Sequence, residues 1–207
     1  MYISLDAKMT SNDLDAQCLT MCLYTEKQDI FYAEFIDCYP IRIENNDYMM
    51  NEIVPKLKYI NFYDICSFWE DNSSEEFNKV YNGEKNNVHV TGTKYFVFHE
   101  LKRWLSNLND DEFIFLTDYQ YLSFIYIITH LGKYNIDTTD IYVSSALLDI
   151  NQMLSYIGKV DVDKSILSID RDQIVKDNGL MLSGNNTSIA LAIRNMCIFD
   201  LLKSSLN

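Results

Sequence analysis

The sequence predicts an α/β protein with a mixed sheet: a three-stranded antiparallel meander, then alternating helices and strands, with helices on both faces. Two observations predict this. Three runs of apolar, aromatic and β-branched residues stand close together at the start of the chain, joined by short polar segments. After residue 90, helical patterns alternate with short apolar runs. Short connections suit antiparallel neighbours, whereas a helix between two strands suits a parallel pair.

The first half of the chain carries the meander. We expect three strands there, at Tyr2–Asp6, Gln17–Thr25 and Ile30–Tyr39. Pro40 should stop the third strand, and Asn46 or Asp47 should cap a short helix that Pro55 ends or kinks. From residue 59 to residue 90 the pattern breaks down into polar sequence with Asn and Gly, such as "FWEDNSSEEFNKVYNGEKNN". We expect an irregular excursion from the core there, within a single domain that spans residues 1–207.

The second half alternates between the two element types. Thr93 should cap a helix over "KYFVFHELKRWLSNL", and "DEFIFLT" then reads as a buried strand. "YQYLSFIYIITHLG" predicts a helix closed by Gly132. The strand "DIYVSSALLD" leads into the helix "NQMLSYIG", and the last helix covers "NTSIALAIRNMCIFDLLKSS".

The composition limits the partners and the cellular compartment that we expect for this chain. The 30 acidic and 17 basic residues give a formal charge of −13, so the net field does not draw nucleic acid in non-specifically. The five cysteines are odd in number and scattered, with no signal peptide before them, which favours a reducing compartment. No apolar run approaches the roughly 18 residues that span a bilayer. We therefore expect a cytoplasmic protein that does not enter a membrane.

Several stretches, in their order and spacing, resemble the bacterial 3′–5′ exoribonucleases of the DEDD class, which have the ribonuclease H-like fold. They are "YISLDAKMT", "HVTGTKYFVFHELKRWL", "FLTDYQYLSFIYIITHLG", "ALLDINQMLSYIGKVDVD" and "GNNTSIALAIRNMCIF". Together they cover most of the chain outside residues 59–90. The resemblance implies a ribonuclease H-like sheet in a single exonuclease-like domain.

Enzymes of this family hold two divalent metals about 4 Å apart with hard carboxylate oxygens, and a His or Tyr serves as general base. The ligands come as Asp-x-Glu on the first strand, an Asp at the start of a middle helix, and a final Asp on the last helix, five residues after a His. Matched to this pattern, the chain keeps Asp6 but has Lys8, Ser123, Gly184 and Ile189 at the other four positions. The resemblance therefore implies a degenerate member of the family.

The lysine at position 8 determines how we interpret the loss of the family's metal ligands. It follows Asp6 by two residues, which places both side chains on one side of an extended backbone. Its ammonium would repel a dication by several kcal/mol at ~4 Å and an effective dielectric near 20. Lys8 can instead pair with Asp6. We therefore expect an inactive protein with no cofactor, whose metal position is filled by its own lysine.

Such a protein would act by binding, and its acidity favours a protein partner. One example of such a binding protein is an acidic inhibitor of a nucleic-acid enzyme, such as a phage anti-defence protein. A retained groove could alternatively bind RNA without cleaving it. A third hypothesis is an active exoribonuclease that uses Mg²⁺ or Mn²⁺, with a rebuilt site around Asp6, Asp118 and either Asp15 or Asp149. The binding candidates are Asp6, Lys8, Asp118 and Asn185. Of these, Asp118 is favoured as a helix N-cap, and Asn185 serves equally well as a cap of the last helix.

Overall fold

The computed structural model describes nine segments of the chain, residues 1–11, 15–71, 76–83, 86–110, 112–118, 121–133, 142–156, 170–177 and 187–204. The strands in these segments are β1 (Tyr2–Met9), β2 (Cys18–Thr25), β3 (Ile30–Phe35), β4 (Lys79–Asn82), β5 (Val88–Gly92), β6 (Glu112–Thr117) and β7 (Tyr142–Asp149). The α-helices are α1 (Pro40–Glu44), α2 (Phe62–Asp71), α3 (Lys94–Asn107), α4 (Tyr121–Lys133), α5 (Ile150–Tyr156), α6 (Arg171–Asp177) and α7 (Ser188–Ser204). A π-helical turn (Met49–Ile53) and a 3₁₀ turn (Val54–Lys56) lie between α1 and α2.

One mixed sheet contains all seven of these strands, in the order β4-β5-β3-β2-β1-β6-β7. The strands β1, β2 and β3 are antiparallel neighbours, as the sequence predicts. The strand β6 runs parallel to β1, and β7 runs parallel to β6. The predicted α/β class with a mixed sheet is therefore confirmed, and the arrangement is compatible with a ribonuclease H-like fold.

The alternation of side chains along the strands gives the sheet two different faces. On β1, Ile3 and Leu5 belong to the larger core cluster, together with residues of α3 and α4. The intervening residues of β1, which include Asp6, point to the opposite face. The helix α7 packs on that face against β1 and β2, and α5 and α6 pack against α7. Helices therefore cover both faces, and the functional candidates of β1 lie under α7.

The expectation of an irregular excursion at residues 59–90 is wrong for the described part of that range. It contains the helix α2 and two strands, of which β5 pairs in parallel with β3 and β4 pairs with β5. The strand β4 is an edge strand with mostly exposed residues, so its sequence is polar without an alternating apolar face. The strand β3, which pairs with β5, lies 57 residues earlier in the chain, so local patterns cannot reveal the pairing.

Local signals at helix termini are mostly confirmed. The Thr93 side chain accepts a hydrogen bond from the backbone N–H of Phe96, 3.4 Å away, and caps α3. The Asn46 side chain accepts from the N–H of Met49, at 3.1 Å. Pro40 does not directly end β3, which stops at Phe35, but occupies the first position of α1, where its missing N–H costs nothing.

Candidate functional site

Asp6 and Lys8 form a buried ion pair on β1. The strand continues to Met9, so Asp6 lies within it and not at its end as the sequence suggested. The Lys8 Nζ lies 3.1 Å from Oδ1 and 3.1 Å from Oδ2 of Asp6. The two side chains, of Lys8 and Asp6, are only 8% and 4% exposed, respectively. The prediction that Lys8 pairs with Asp6 is confirmed.

The charge of Asp6 is balanced by groups from two elements. Burial raises the pKa of the Asp6 carboxyl, while Lys8 acts in the opposite direction through its charge and its hydrogen bond. Ser188 and Arg194, both on α7, also lower this pKa. A buried carboxylate of this kind is stable in its charged form only as long as its cationic partners are present.

Asp118 directly follows β6, the strand that runs parallel to β1. Ser4 on β1 is paired with Leu116 on β6, and Asp6 and Asp118 each lie two residues beyond that pair. The Oδ2 of Asp118 is 2.8 Å from Nε of Arg171 and 3.2 Å from Nη2 of Arg194. The sequence predicts Asp118 as a helix cap but does not predict its contacts with these two arginines, which lie on α6 and α7.

Arg194 therefore connects the two carboxylates. It pairs with Asp118, it acts on the charge of Asp6, and its Nη1 is 3.4 Å from Oδ1 of Asp172 on α6. The side chain is 16% exposed. Two aspartates that could have been metal ligands are thus held by three cations, Lys8, Arg171 and Arg194.

The other positions implied by the resemblance have different surroundings. Ser123 is buried in the first turn of α4, the helix whose apolar residues join the larger core cluster on the sheet face opposite Asp6. Ile189 lies on α7, where it packs with Cys22, Tyr32 and Ala192. Gly184 and Asn185 lie outside the described residues. The structure therefore brings Asp6, Lys8, Asp118 and α7 together, and it places Ser123 on the helix of the other face.

A small cleft opens beside Lys8, between the sheet and the start of α7. Its lining residues are Lys8, Thr20, Tyr32, Ile53, Lys56, Leu57, Thr187 and Ser188. The Thr187 side chain accepts a hydrogen bond from the backbone N–H of Ala190, 3.2 Å away, and so caps α7. The sequence predicts Asn185 as the cap of this helix. The signal for Thr187 was present, because a threonine before an apolar helical pattern is a typical N-cap. No pattern in the sequence indicates that the cleft is lined by Thr20, Lys56 and Leu57.

Glu34 holds one wall of this cleft in place. Its buried carboxylate accepts hydrogen bonds from the backbone N–H groups of Lys58, Tyr59 and Ile60, and from the hydroxyl of Tyr32 at 2.6 Å. These contacts fix the segment that follows Leu57 against β3. The sequence reasoning did not identify Glu34, since its partners lie about 25 residues away in the chain.

The three histidines occupy separate places. Nδ1 of His89 lies 2.6 Å from the hydroxyl of Tyr59, and burial together with the charge of Lys58 lowers the pKa of His89. His99 packs against Tyr95, and Nδ1 of His130 lies 2.8 Å from the carbonyl oxygen of Tyr126 on α4.

The residues at Asp6 and Asp118 do not fit a two-metal site. Such a site needs carboxylate oxygens that are available to the cations. Here both oxygens of Asp6 face the Lys8 ammonium, and Oδ2 of Asp118 is taken by two arginines. Among the described residues, no group of three or more His, Cys, Asp or Glu side chains could hold a metal ion.

Comparison with known proteins adds no family assignment. No protein-family model matches the chain, and no curated protein matches it significantly. Within the described segments, none of the helices has the length and apolar character that crossing a membrane requires.

Proposed function

We propose that this chain is a catalytically inactive protein related to the DEDD-class exoribonucleases, and that it acts by binding a protein partner. The observation that carries the proposal is the Lys8 Nζ, 3.1 Å from each carboxylate oxygen of Asp6. In an active relative those oxygens would bind a metal. Here they bind an ammonium group instead.

The electrostatics of the surrounding residues support this proposal. A dication next to Asp6 would also lie next to Lys8, and at ~4 Å and an effective dielectric near 20 the repulsion amounts to several kcal/mol. Arg194 also lowers the pKa of Asp6 through its charge, while its own ion pairs are with Asp118 and Asp172.

The charge of the whole chain supports a protein partner. A formal charge of −13 repels a phosphate backbone and attracts a basic protein surface. An acidic inhibitor that covers the basic channel of a nucleic-acid enzyme, as a phage anti-defence protein would, is the most concrete form. We place this activity in the cytoplasm.

Binding of RNA without cleavage is the second candidate, and one observation favours it. The rings of Tyr59 and Tyr81 are stacked with centroids 4.1 Å apart, and Nζ of Lys58 lies 5.0 Å from the Tyr59 centroid. Aromatic rings beside a lysine can hold unpaired bases and a phosphate. RNA affinity of this kind should fall steeply with salt.

A nuclease assay tests the proposal directly. We would incubate the purified chain with end-labelled single-stranded RNA and Mn²⁺, with the Asp6→Ala variant in parallel. We expect no release of nucleotides from either protein. Release by the unmodified chain that disappears in Asp6→Ala would overturn the proposal and favour a rebuilt exoribonuclease. Fluorescence anisotropy of the same RNA at two salt concentrations would separate the second candidate from the first.

A further inference from the structure

The helices α1 and α2 present large apolar side chains to solvent. Tyr39, Ile41, Tyr63 and Trp69 are all exposed, and Tyr63 is the most exposed of them at 77%. The rings of Tyr39 and Trp69 lie 4.5 Å apart, which joins the two helices at the surface. We call these four residues, with Glu44 and Glu70, the aromatic face. Exposed apolar residues that are clustered in this way are typical of interaction surfaces.

The Trp69 side chain and the Tyr39 backbone are held by hydrogen bonds. The Trp69 Nε1–H donates to the carbonyl of Cys38, at 2.7 Å. The backbone N–H of Tyr39 donates to Oε1 of Gln17, also at 2.7 Å. Rigid tyrosine and tryptophan side chains lose little conformational entropy on binding, and these residue types dominate the binding energy of protein interfaces.

The aromatic face also carries negative charge. Cys66 lies three residues from both Tyr63 and Trp69, so it occupies the helix surface between them. Burial, then the carboxylates of Glu44 and Glu70, raise the pKa of the Cys66 thiol. The nearby cation Arg42 donates to the carbonyl of Asp15. The face therefore combines fixed aromatic rings with carboxylates from both helices.

The charges indicate what kind of partner fits. A second copy of this chain would bring Glu44 and Glu70 against the same residues of its neighbour, and a phosphate backbone would meet the same repulsion. Arginine and lysine side chains, in contrast, pair with carboxylates and stack on tyrosine and tryptophan rings.

We propose that the aromatic face is the docking surface for a partner protein whose contacting surface is rich in arginine and lysine. This inference rests on the proposed function, in which the chain acts by binding a protein, and it names the surface and the chemistry of that partner. The aromatic rings would supply the central contacts. The carboxylates at the edge would select a basic partner.

Selection from a peptide library tests this inference while the partner protein itself is unidentified. The probe is a library of random linear peptides displayed on phage, selected on the full-length chain. We expect the selected peptides to be enriched in arginine and lysine. Synthetic copies of them should bind at least tenfold more weakly to Tyr63→Ala and to Glu70→Lys, measured by fluorescence anisotropy.

Two variants outside the aromatic face serve as matched controls. Tyr95→Ala removes an exposed tyrosine from α3, and Glu112→Lys reverses an exposed charge at the start of β6. Both should bind the peptides within twofold of the unmodified chain. The inference is overturned if no peptide is selected, if the selected peptides lack basic residues, or if the two face variants bind them as well as the controls do. None of these results affects the nuclease assay, so failure of the docking surface and failure of the proposed function can be told apart.

Discussion

Removing the positive charge of Lys8 should strongly destabilise the fold at neutral pH. In Lys8→Met, the aliphatic part of the side chain is kept while Asp6 loses the group 3.1 Å from both of its oxygens. Breaking a buried ion pair in this way costs about 3–5 kcal/mol, because the remaining charge is left without its partner. For a chain of this size that corresponds to a fall of roughly 6–20 °C in melting temperature.

The loss should depend on pH in a defined direction. Burial raises the pKa of Asp6, and Lys8 opposes that effect, so the pKa rises further in Lys8→Met. A carboxyl whose pKa is higher in the folded state binds more protons there than in the unfolded chain, so its contribution to stability falls as pH rises. The difference between Lys8→Met and the unmodified chain should therefore shrink as pH falls from neutrality towards the ordinary range of an aspartate.

A double-mutant cycle provides the control. Asp6→Leu combined with Lys8→Met removes both charges and leaves an apolar pair, which is often neutral or stabilising relative to a buried ion pair. We would follow urea unfolding by tryptophan fluorescence at neutral and at acidic pH. If Lys8→Met costs less than about 1 kcal/mol, or if the double variant is as unstable as the single one, the pair is not the buried charge couple described above.

Three further predictions concern other parts of the molecule. Glu34→Ala removes the acceptor of three backbone N–H groups and should cost about 3 kcal/mol in urea unfolding, whereas the surface variant Glu52→Ala should cost less than about 1 kcal/mol. Arg194→Met leaves Asp118 with one of its two arginines, and a loss of about 1.5–3 kcal/mol is expected by the same measurement; no loss would mean that this pairing is not formed. Glu70→Gln removes a charge that raises the pKa of the Cys66 thiol, so iodoacetamide should alkylate Cys66 faster at about pH 8 by mass spectrometry, and an unchanged rate would contradict the negative charge of the aromatic face.

The parts of the fold that depend on local patterns could be predicted from the sequence. The meander of β1, β2 and β3 has short connections and clear apolar runs, and Thr93 and Asn46 are caps that act within three residues. The Asp6–Lys8 pair is of the same kind, since alternate residues of a strand share a face. For each of these features, the residues that decide the structure are close in the chain.

The parts that were missed depend on distant contacts. The strand β5 is short, and it pairs with β3, which lies 57 residues earlier in the chain. Asp118 looked like a helix cap, while its arginine partners lie more than fifty residues later. Ser123 was matched to a metal ligand by its distance from Gly132, but α4 packs on the face opposite Asp6. Sequence spacing alone therefore could not show on which face of the sheet α4 packs.

The cations that pair with Asp6 and Asp118 come from three elements of the fold. Lys8 comes from the first strand and pairs with Asp6 on β1, whereas Arg171 and Arg194 come from two helices near the other end of the chain and pair with Asp118, which follows β6. A site that had lost a single ligand would keep its remaining carboxylates free, and their mutual repulsion would destabilise the metal-free fold. Here Asp6 pairs with Lys8, and Asp118 pairs with Arg171 and Arg194, so attraction between opposite charges takes the place of such repulsion. The ion pairs of Asp118 therefore hold α6 and α7 to the end of β6, and a glutamate at position 8 would remove the cation that pairs with Asp6 and place a second carboxylate beside it.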